Sequence, residues 1–598
     1  MPEDNSDNQN WLQKPKISRK KIIRHIKKAE TVTLKHTHKF LVRRWENVRE
    51  VRSRVVSWIV LMGLLIAATG FQMMWFQKSY LATAEADDGT YAEAVLGPVD
   101  TLNPLFAATD AEKSASYLLF SSLLRYDESG HLNNDIASRV STDETSKIYT
   151  ISIRPDVKWH DGENLTTDDI AFTIDLIKDE ATNSAITGWS NISVKVIDNK
   201  TIQFTLPSIY AAFDHALTFP ILPKHILGNV EPSQIRENVF SQNPIGSGPF
   251  KMRFIQNTDT NKGQKIIYLA RNDQFYGGMA KLAKVQLNAY DSTDDIIKAL
   301  LANQVNATAD LSYLDVKQLD AKKYSAITRP IQSGVYALIN TKSALLSDIK
   351  LRRALQLATD TSAIINILPE GTPSLNLPFT EGQLSGDIPA VSKFDIEDSK
   401  KILNDDGWAL NSNGIREKDG KKLTISVVAM KGGEFEAVLG LLSNQWKSVG
   451  FNVETKVVDL SDITQNAVQN ILQPRNYDAL IYQLDIGADP DVYAYWDSTQ
   501  MTSTGLNYSN YSNIISDDAL TSARSRVEPD IRNAKYITFV KQWINDVPAI
   551  GLYQSTIQYV HSVNVHAFNK SNVLVSPIDR YSDILRWSVG DKTVYKTP

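Results

Sequence analysis

The fold is decided by residues 422–484, KLTISVVAMKGGEFEAVLGLLSNQWKSVGFNVETKVVDLSDITQNAVQNILQPRNYDALIYQL, where short apolar runs alternate with longer amphipathic ones. Short runs rich in β-branched residues predict strands, and runs with helical periodicity predict helices. The predicted strands are Leu423–Ala429, Phe451–Val458 and Tyr477–Leu484, and the predicted helices are Glu434–Ser448 and Asp462–Leu472. This βαβαβ order indicates an α/β protein with parallel strands joined by right-handed crossovers.

The loop that follows the third predicted strand is the first candidate binding site. It runs from Asp485 to Asp491 with the sequence DIGADPD. In open α/β sheets, ligands bind beyond the carboxyl ends of parallel strands. The sequence therefore predicts that a ligand binds at or near this loop.

Elsewhere in the body, three local patterns predict defined elements. Thr166–Asp169 and Ser292–Asp295 each combine a Ser or Thr cap with acidic residues in a first turn, and they predict helices that run to Ile177 and Leu301. Two strand-like runs, 194–197 and 201–206, flank Asp198-Asn199-Lys200 and predict a hairpin. No fixed-period repeat is present.

Charge divides the 598-residue chain into three parts. Residues 1–54 carry 15 Lys and Arg against 6 Asp and Glu, residues 55–76 carry no charge, and residues 77–598 carry 49 Lys and Arg against 62 Asp and Glu. A basic leader, a neutral stripe and an acidic body indicate three different environments. The chain has no cysteine, which excludes disulfides, a cysteine nucleophile and a lipid tether on an N-terminal cysteine.

The neutral stripe predicts a single transmembrane helix over Val55–Phe76. At about 1.5 Å per residue, its 22 residues span a hydrocarbon layer of roughly 30 Å. Trp58 and Trp75 suit the two membrane interfaces, and three arginines directly precede the stripe. The positive-inside rule places the leader, residues 1–54, in the cytoplasm and the body on the extracytoplasmic side of the cell membrane. Nucleic-acid binding is not expected, because proximity to lipid headgroups already explains the basic charge.

A cleaved signal peptide is the alternative explanation of the stripe. Ala82-Thr83-Ala84, in the predicted linker 77–89, resembles a cleavage site. The apolar run is longer than a signal core of about 7–15 residues, and the basic leader is too long for a signal peptide. The sequence therefore favours an uncleaved anchor.

Several short motifs follow one another along the body. They are LNPL at Leu102–Leu105, IRPDVKWHDG at Ile153–Gly162, PIGSGPF at Pro244–Phe250, DIKLRRAL at Asp348–Leu355 and DPD at Asp489–Asp491. With these motifs in this order, the chain from about Tyr91 to Val589 resembles the oligopeptide- and dipeptide-binding class, family 5, of the extracytoplasmic substrate-binding proteins of ABC importers. The resemblance implies a two-lobed, type II periplasmic-binding-protein-like α/β fold with an extra subdomain.

The resemblance also implies how the chain is divided. Lobe I would comprise residues 90–333, with an inserted subdomain at about 131–204, and would be completed by residues 555–598. Lobe II would comprise residues 334–554. A ligand would lie between the lobes and be enclosed as they close about a hinge.

The family holds the backbone of a peptide by strand addition. The matching segments here are Ala108-Thr109-Asp110 in lobe I and Ile481-Tyr482-Gln483 in lobe II. The family also places an aspartate three residues after an aromatic residue, where it pairs with the α-ammonium group of the peptide, and Asp485 stands three residues after Tyr482. Because Asp485 lies five residues before Pro490, whereas the family spacing is four, either Asp485 or Ile486 occupies the anchoring position.

The implied function is a membrane-anchored receptor that delivers peptides to a permease and an ATPase subunit. No catalytic residue, metal site or cofactor is expected, since the sequence contains neither Gly-x-Ser-x-Gly nor His-Glu-x-x-His. Two alternatives stay open. The protein could be an anchored sensor or scaffold, as the long leader would suit, or a receptor of the same class for a sugar or a metal chelate.

Overall fold

The computed structural model describes residues 45–259, 264–460, 462, 464–568 and 571–595. Its packing divides the chain into two units, residues 1–84 with 592–598 and residues 85–591. Most of the predicted basic leader, residues 1–44, lies outside the described residues.

The described part of the first unit is dominated by one long helix, α1 (Trp45–Tyr80). Its apolar part, Arg52–Lys78, has a mean hydropathy of 1.9 over its best window and is exposed along its length. At about 1.5 Å per residue these 27 residues measure about 40 Å, enough to cross a membrane. The helix is longer at both ends than predicted.

The predicted linker, residues 77–89, also has more regular structure than expected. Helix α1 continues to Tyr80, because neither Gly nor Pro interrupts the chain between Gly70 and Gly89. A strand, Leu81–Glu85, follows directly and pairs with the C-terminal strand Asp591–Tyr595.

The second unit, which we call the body, contains the remaining helices and most of the strands. The helices are α2 (Asp110–Leu119), α3 (Thr167–Lys178), α4 (Phe213–Ala216), α5 (Lys224–Leu227), α6 (Thr293–Leu301), α7 (Tyr313–Val316), α8 (Ile349–Leu357), α9 (Thr361–Ile365), α10 (Ile396–Asp405), α11 (Phe435–Ser448), α12 (Tyr493–Trp496), α13 (Ile514–Arg524) and α14 (Pro529–Asp546). Short 3-10 turns cover Pro104–Phe106, Pro232–Gln234, Val239–Ser241, Ser498–Met501 and Pro577–Arg586.

The strands of both units are numbered in chain order. They are β1 (Leu81–Glu85), β2 (Thr90–Leu96), β3 (Leu124–Tyr126), β4 (Leu132–Asn134), β5 (Ala137–Thr142), β6 (Ile148–Ile153), β7 (Ser193–Asp198), β8 (Thr201–Thr205), β9 (Phe250–Asp259), β10 (Gln264–Arg271), β11 (Lys284–Tyr290), β12 (Ala307–Thr308), β13 (Tyr324–Ile339), β14 (Ala409–Leu410), β15 (Arg416–Lys418), β16 (Lys421–Lys422), β17 (Thr424–Met430), β18 (Asn452–Val458), β19 (Ala479–Asp485), β20 (Ala549–Ser562), β21 (Val565–His566), β22 (Ser588–Val589) and β23 (Asp591–Tyr595).

A sheet of ten strands, in the order β18-β17-β19-β13-β20-β12-β2-β11-β10-β9, runs through the body. The predicted parallel triple is confirmed, since β17 pairs in parallel with both β18 and β19. Of the two predicted crossover helices, α11 forms as expected. The helix predicted over Asp462–Leu472 is wrong: the described residues there form one π-turn, Val468–Leu472, because Asn466 adopts a left-handed conformation with φ 45°.

A separate sheet, β5-β6-β8-β7, lies in the region predicted as an inserted subdomain. Its β7–β8 pair is the predicted hairpin. Both predicted helix caps are also confirmed. Thr166 and Asp169 form a capping box at the start of α3, and the hydroxyl of Ser292 accepts a bond from the amide of Asp295 at the start of α6.

Two of the sequence motifs meet in the structure at the end of α2. The His160 amide donates to the Gly246 carbonyl at 2.8 Å, and the Gly248 amide donates to the Leu119 carbonyl at 2.8 Å. A Cβ atom at Gly246 would stand 1.9 Å from the Leu119 carbonyl oxygen, so only glycine allows this approach. The motifs therefore fix a structural turn.

The two long strands β13 and β20 each run through two separate parts of the apolar core. One cluster includes Ile331 and Ile557, whereas the clusters on the other side begin at Val335 and end at Tyr553. The β13–β20 register shifts between Pro330 and Gly334, between the two groups of clusters. We keep the predicted lobe bounds as names, lobe I for residues 90–333 and 555–591 and lobe II for residues 334–554. Lobe I was predicted to run to residue 598, but residues from 592 onward belong to the first unit.

Candidate functional site

Strand β19 has one open edge at its carboxyl end. On one side it pairs with β13 as far as Asp485, opposite Ser333. On the other side its pairing with β17 stops at Ile481, opposite Ala429. Among the described residues, the stretch from Tyr482 to Asp485 therefore has a neighbouring strand on one side only. Unpaired backbone groups on such an edge are a template for another extended chain.

Asp485 ends this edge with an exposed carboxylate. Its Oδ1 accepts hydrogen bonds from the Ser333 hydroxyl at 2.9 Å and from the Gln483 side-chain amide at 3.2 Å. The Tyr495 hydroxyl donates to its backbone carbonyl at 2.7 Å. Ile486, the other residue considered for the anchoring position, is 6% exposed and packs in the core. Of the two, only Asp485 presents its side chain to solvent.

The predicted residues that precede Asp485 differ in exposure. Ile481 is buried, whereas Tyr482 and Gln483 are half-buried. The Tyr482 ring packs edge-on against Tyr508 at a centroid distance of 5.3 Å. The Ser555 hydroxyl donates to Gln483 Oε1 at 2.9 Å. This bond connects the open edge to residue 555, where the chain passes from lobe II back into lobe I. The structure thus brings the four predicted lobe II residues together.

The predicted lobe I segment lies at the start of α2. Thr109 caps this helix, and its hydroxyl accepts a bond from the Glu112 amide at 3.2 Å. The Glu112 carboxylate accepts in turn from the amides of Ala108 at 2.8 Å and Thr109 at 3.1 Å. Asp110 is exposed and lies 4.0 Å from Lys113. The amides of Ala108 and Thr109 are therefore engaged by the capping-box glutamate.

The loop after β19 is held by two ion pairs. Arg532 makes a bidentate pair with Asp489, with N–O distances of 2.7 and 2.8 Å. Arg524 Nε lies 2.9 Å from Asp491. Burial raises the pKa of Asp491, and the Arg524 guanidinium opposes that rise. These two ion pairs anchor the loop to helices α13 and α14.

Arg524 also connects the two lobes, a role that no sequence signal indicated. Its guanidinium lies 4.4 Å from the ring centroid of Tyr493 in lobe II and 4.8 Å from that of Tyr210 in lobe I. The amide of Ala211, in lobe I, donates to the Arg524 carbonyl at 2.8 Å. These contacts require the lobes to be close together.

Metal-ligating side chains are not clustered in the part of the chain that the structure describes. No group of three or more His, Asp or Glu side chains there has the spacing of a metal site. Trp496, which follows the loop after β19, is 1% exposed and packs on Trp543 in the core.

Known proteins share this fold and, at lower similarity, its sequence. The oligopeptide-binding protein AppA of Bacillus subtilis is 29% identical over 478 residues, which make up 77% of this chain and 84% of AppA. The solved structure of AppA with a nonapeptide has a TM-score of 0.70 and 25% identity, and the match covers 85% of this chain and all of AppA. The structure of NikZ from Campylobacter jejuni with Ni(L-His) has a TM-score of 0.70 at 24% identity and covers 83% of this chain and 99% of NikZ.

These likenesses confirm the two-lobed, type II periplasmic-binding-protein-like fold. The family profile described as bacterial extracellular solute-binding proteins, family 5 Middle, matches residues 131–505, which is more than half of the chain. The protein therefore belongs to the bacterial extracellular solute-binding proteins, family 5.

Proposed function

We propose that the protein is the substrate-binding receptor of an ABC importer and that it captures peptides between its lobes. The open edge of β19 is the observation that carries this proposal. A strand edge bonds to backbone groups, which all peptides share, so it accepts peptides of many sequences. The relative AppA is an oligopeptide-binding protein with a structure in complex with a nonapeptide, which supports the same ligand class.

Asp485 is proposed to anchor the amino terminus of the peptide. Its carboxylate is exposed at the end of the open edge, and the hydrogen bonds from Ser333 and Gln483 both go to one oxygen, Oδ1. A peptide α-ammonium group paired with this carboxylate would form a charge-assisted hydrogen bond. Tyr482 and Gln483 would carry the adjoining backbone contacts, whereas Ile481, the third predicted residue, is paired with Ala429 of β17 on that side.

Ala108, Thr109 and Asp110 would contact the ligand from lobe I. Since the amides of Ala108 and Thr109 are bonded to Glu112, this contact would be made by carbonyl or side-chain groups. The bound peptide would be enclosed when residues 334–554 rotate onto lobe I. The contacts of Arg524 with Tyr210 and Ala211 would form on closure, and a ligand that touches both lobes would favour that state.

Helix α1 is proposed to hold the receptor on the extracytoplasmic face of the cell membrane. Its exposed apolar span and the arginines before it support a single-pass anchor with a cytoplasmic amino terminus. Permease and ATPase subunits are the proposed partners. The ligand would be handed over without chemical change, so the protein would not be an enzyme.

Thermal unfolding of the detergent-solubilised full chain tests the proposal. Pools of peptides of two to eight residues are compared with the same pools carrying acetylated amino termini. Free peptides are expected to raise the unfolding temperature, because a ligand that binds only the folded state stabilises it by RT ln(1 + L/Kd), where L is the free ligand concentration. Acetylated peptides are expected to have a smaller effect. Absence of a shift with every pool, for protein shown to be free of endogenous ligand, would contradict peptide binding.

A further inference from the structure

The two lobes meet at Arg524, the last residue of α13. Its guanidinium lies over the ring of Tyr210 in lobe I, 4.8 Å from the centroid, and over the ring of Tyr493 in lobe II, 4.4 Å from the centroid. A cation above an aromatic face is attracted by the negative face of the ring, more strongly where water is partly excluded. Tyr210 lies in the loop after β8 and is half-buried. One cation therefore contacts an aromatic ring of each lobe.

Arg524 is held in place from the lobe II side by its ion pair with Asp491. Burial raises the pKa of Asp491, and both the Arg524 guanidinium and the Tyr210 hydroxyl oppose that rise. Burial also raises the pKa of Tyr210 to about 12, so its hydroxyl is protonated at neutral pH. Lobe II thus presents a fixed cation and a fixed carboxylate to one tyrosine of lobe I.

A backbone hydrogen bond accompanies these side-chain contacts. The amide of Ala211, next to Tyr210, donates to the Arg524 carbonyl at 2.8 Å. The last four carbonyl groups of a helix have no partner within the helix, and Arg524 ends α13. The lobe I amide therefore satisfies a helix end of lobe II, and it does so only while the lobes are together.

The Arg524 contacts are separate from the proposed peptide anchor. Asp485 and Asp491 stand at opposite ends of the loop after β19. Between them the loop is held in place, because the Gly487 amide donates to the Gln332 carbonyl at 2.9 Å. The partners of Arg524 are supplied by the two lobes, so the free energy of these contacts does not depend on the sequence of the peptide.

We infer that Arg524 and Tyr210 form a latch that stabilises the closed state and sets the affinity for every peptide without contacting any of them. The inference rests on the proposed capture of peptides between the lobes and adds two positioning residues to it. A ligand that requires the closed state has an apparent Kd equal to its intrinsic Kd divided by the fraction of receptor that is competent to bind. Loss of the latch lowers that fraction, so all affinities fall by one common factor.

Tyr210→Ala is the test variant, because it removes the lobe I ring and leaves the ion pair of Arg524 with Asp491 in place. The full chain in detergent is titrated with tetra-alanine, its C-terminal amide and a tetrapeptide that contains Lys and Glu. Affinity is expected to fall by about 3- to 10-fold, equally for all three peptides. The loss should appear as faster dissociation, since peptides meet the open receptor and leave after it reopens.

Tyr313→Ala is the matched control and should leave all three affinities unchanged. Tyr313 is half-buried, and the Lys317 ammonium lies 4.2 Å from its ring centroid, so the variant removes a similar contact that lies entirely within lobe I. Tyr210→Phe keeps the aromatic ring and is expected to retain most of the affinity. If Tyr210→Ala does not fold, Tyr210→Leu replaces it, because leucine keeps an apolar contact with the lobe I core.

Closure can also be measured directly. The chain has no cysteine, so Thr187→Cys in lobe I and Asp387→Cys in lobe II, both at exposed positions, each accept one spin label. Pulsed electron resonance, without peptide and with half-saturating tetra-alanine, is expected to show a larger open population when Tyr210→Ala is added.

Three results would overturn the inference. They are unchanged label distances in both conditions, an affinity loss confined to peptides with a free carboxylate, and an equal loss in Tyr313→Ala. The second result would mean that Arg524 contacts the ligand itself. If no peptide binds to the unaltered protein, the proposed function fails, and the label distances without peptide decide whether the latch exists.

Discussion

Replacement of Arg580 by methionine is expected to lower the free energy of unfolding of the body by about 3–5 kcal/mol. Arg580 Nε lies 3.0 Å from Glu93, and the two side chains are 2% and 0% exposed. Its Nη2 donates to the Ser114 hydroxyl at 3.0 Å and to the Tyr581 hydroxyl at 2.8 Å. Without the guanidinium, Glu93 would remain as a buried charge without a cation, and this accounts for the size of the effect.

Denaturant unfolding followed by tryptophan fluorescence measures the loss. Lys298→Met is the matched control, because Lys298 pairs with Asp295 at 3.0 Å but its side chain is 74% exposed. Exposed pairs contribute about 0–1 kcal/mol, so the control should unfold almost like the unaltered protein. A double variant, Glu93→Leu with Arg580→Met, should lose less than Arg580→Met alone, since no buried charge remains. Equal losses for Arg580→Met and Lys298→Met would contradict the importance of the buried pair.

Replacement of Asp485 by asparagine is expected to weaken binding of free peptides by about 10- to 100-fold, because hydrogen bonds to charged groups contribute about 1.5–3 kcal/mol. Asparagine has nearly the same shape and retains an oxygen that can accept from Ser333. The substitution therefore removes the negative charge and leaves the edge of β19 intact. Peptides with acetylated amino termini, which lack the ammonium group, should bind the variant as well as they bind the unaltered protein.

Titration calorimetry with one peptide in both forms measures this difference. Asp387→Asn, at an exposed position elsewhere in lobe II, is the matched control and should not change either affinity. An equal loss for free and acetylated peptides would show that Asp485 supports the site structurally and does not hold an amine. Unchanged affinity for both forms would exclude it from the site.

The sequence predicted the parallel triple and the loop after it because their signals are local. Short apolar runs rich in β-branched residues predict β17, β18 and β19, and Ser or Thr caps predict where α3 and α6 begin. The Asp462–Leu472 helix failed for an equally local reason. Periodicity suggested a helix, but Asn466 tolerates the left-handed conformation that interrupts it.

The non-local part of the site could not be predicted. Arg524 lies 33 residues after its partner Asp491 in the chain, and nothing in the sequence near it indicates that Tyr210 packs on its guanidinium. The capping role of Thr109 was not predicted, because the resemblance concerns only the backbone of residues 108–110. A threonine followed three residues later by Glu112 is a capping-box signal that could have revealed it.

Hydrogen–deuterium exchange of the full chain, with and without a saturating peptide, tests the central claim that an extended peptide adds to the open edge of β19 while the lobes close over it. The account predicts slower exchange in the segment from Tyr482 to Asp485, whose open edge would gain a partner. It also predicts slower exchange at Ala211, whose amide bonds to Arg524 across the lobes. Unchanged exchange in both places, with a peptide that measurably stabilises the protein, would contradict it.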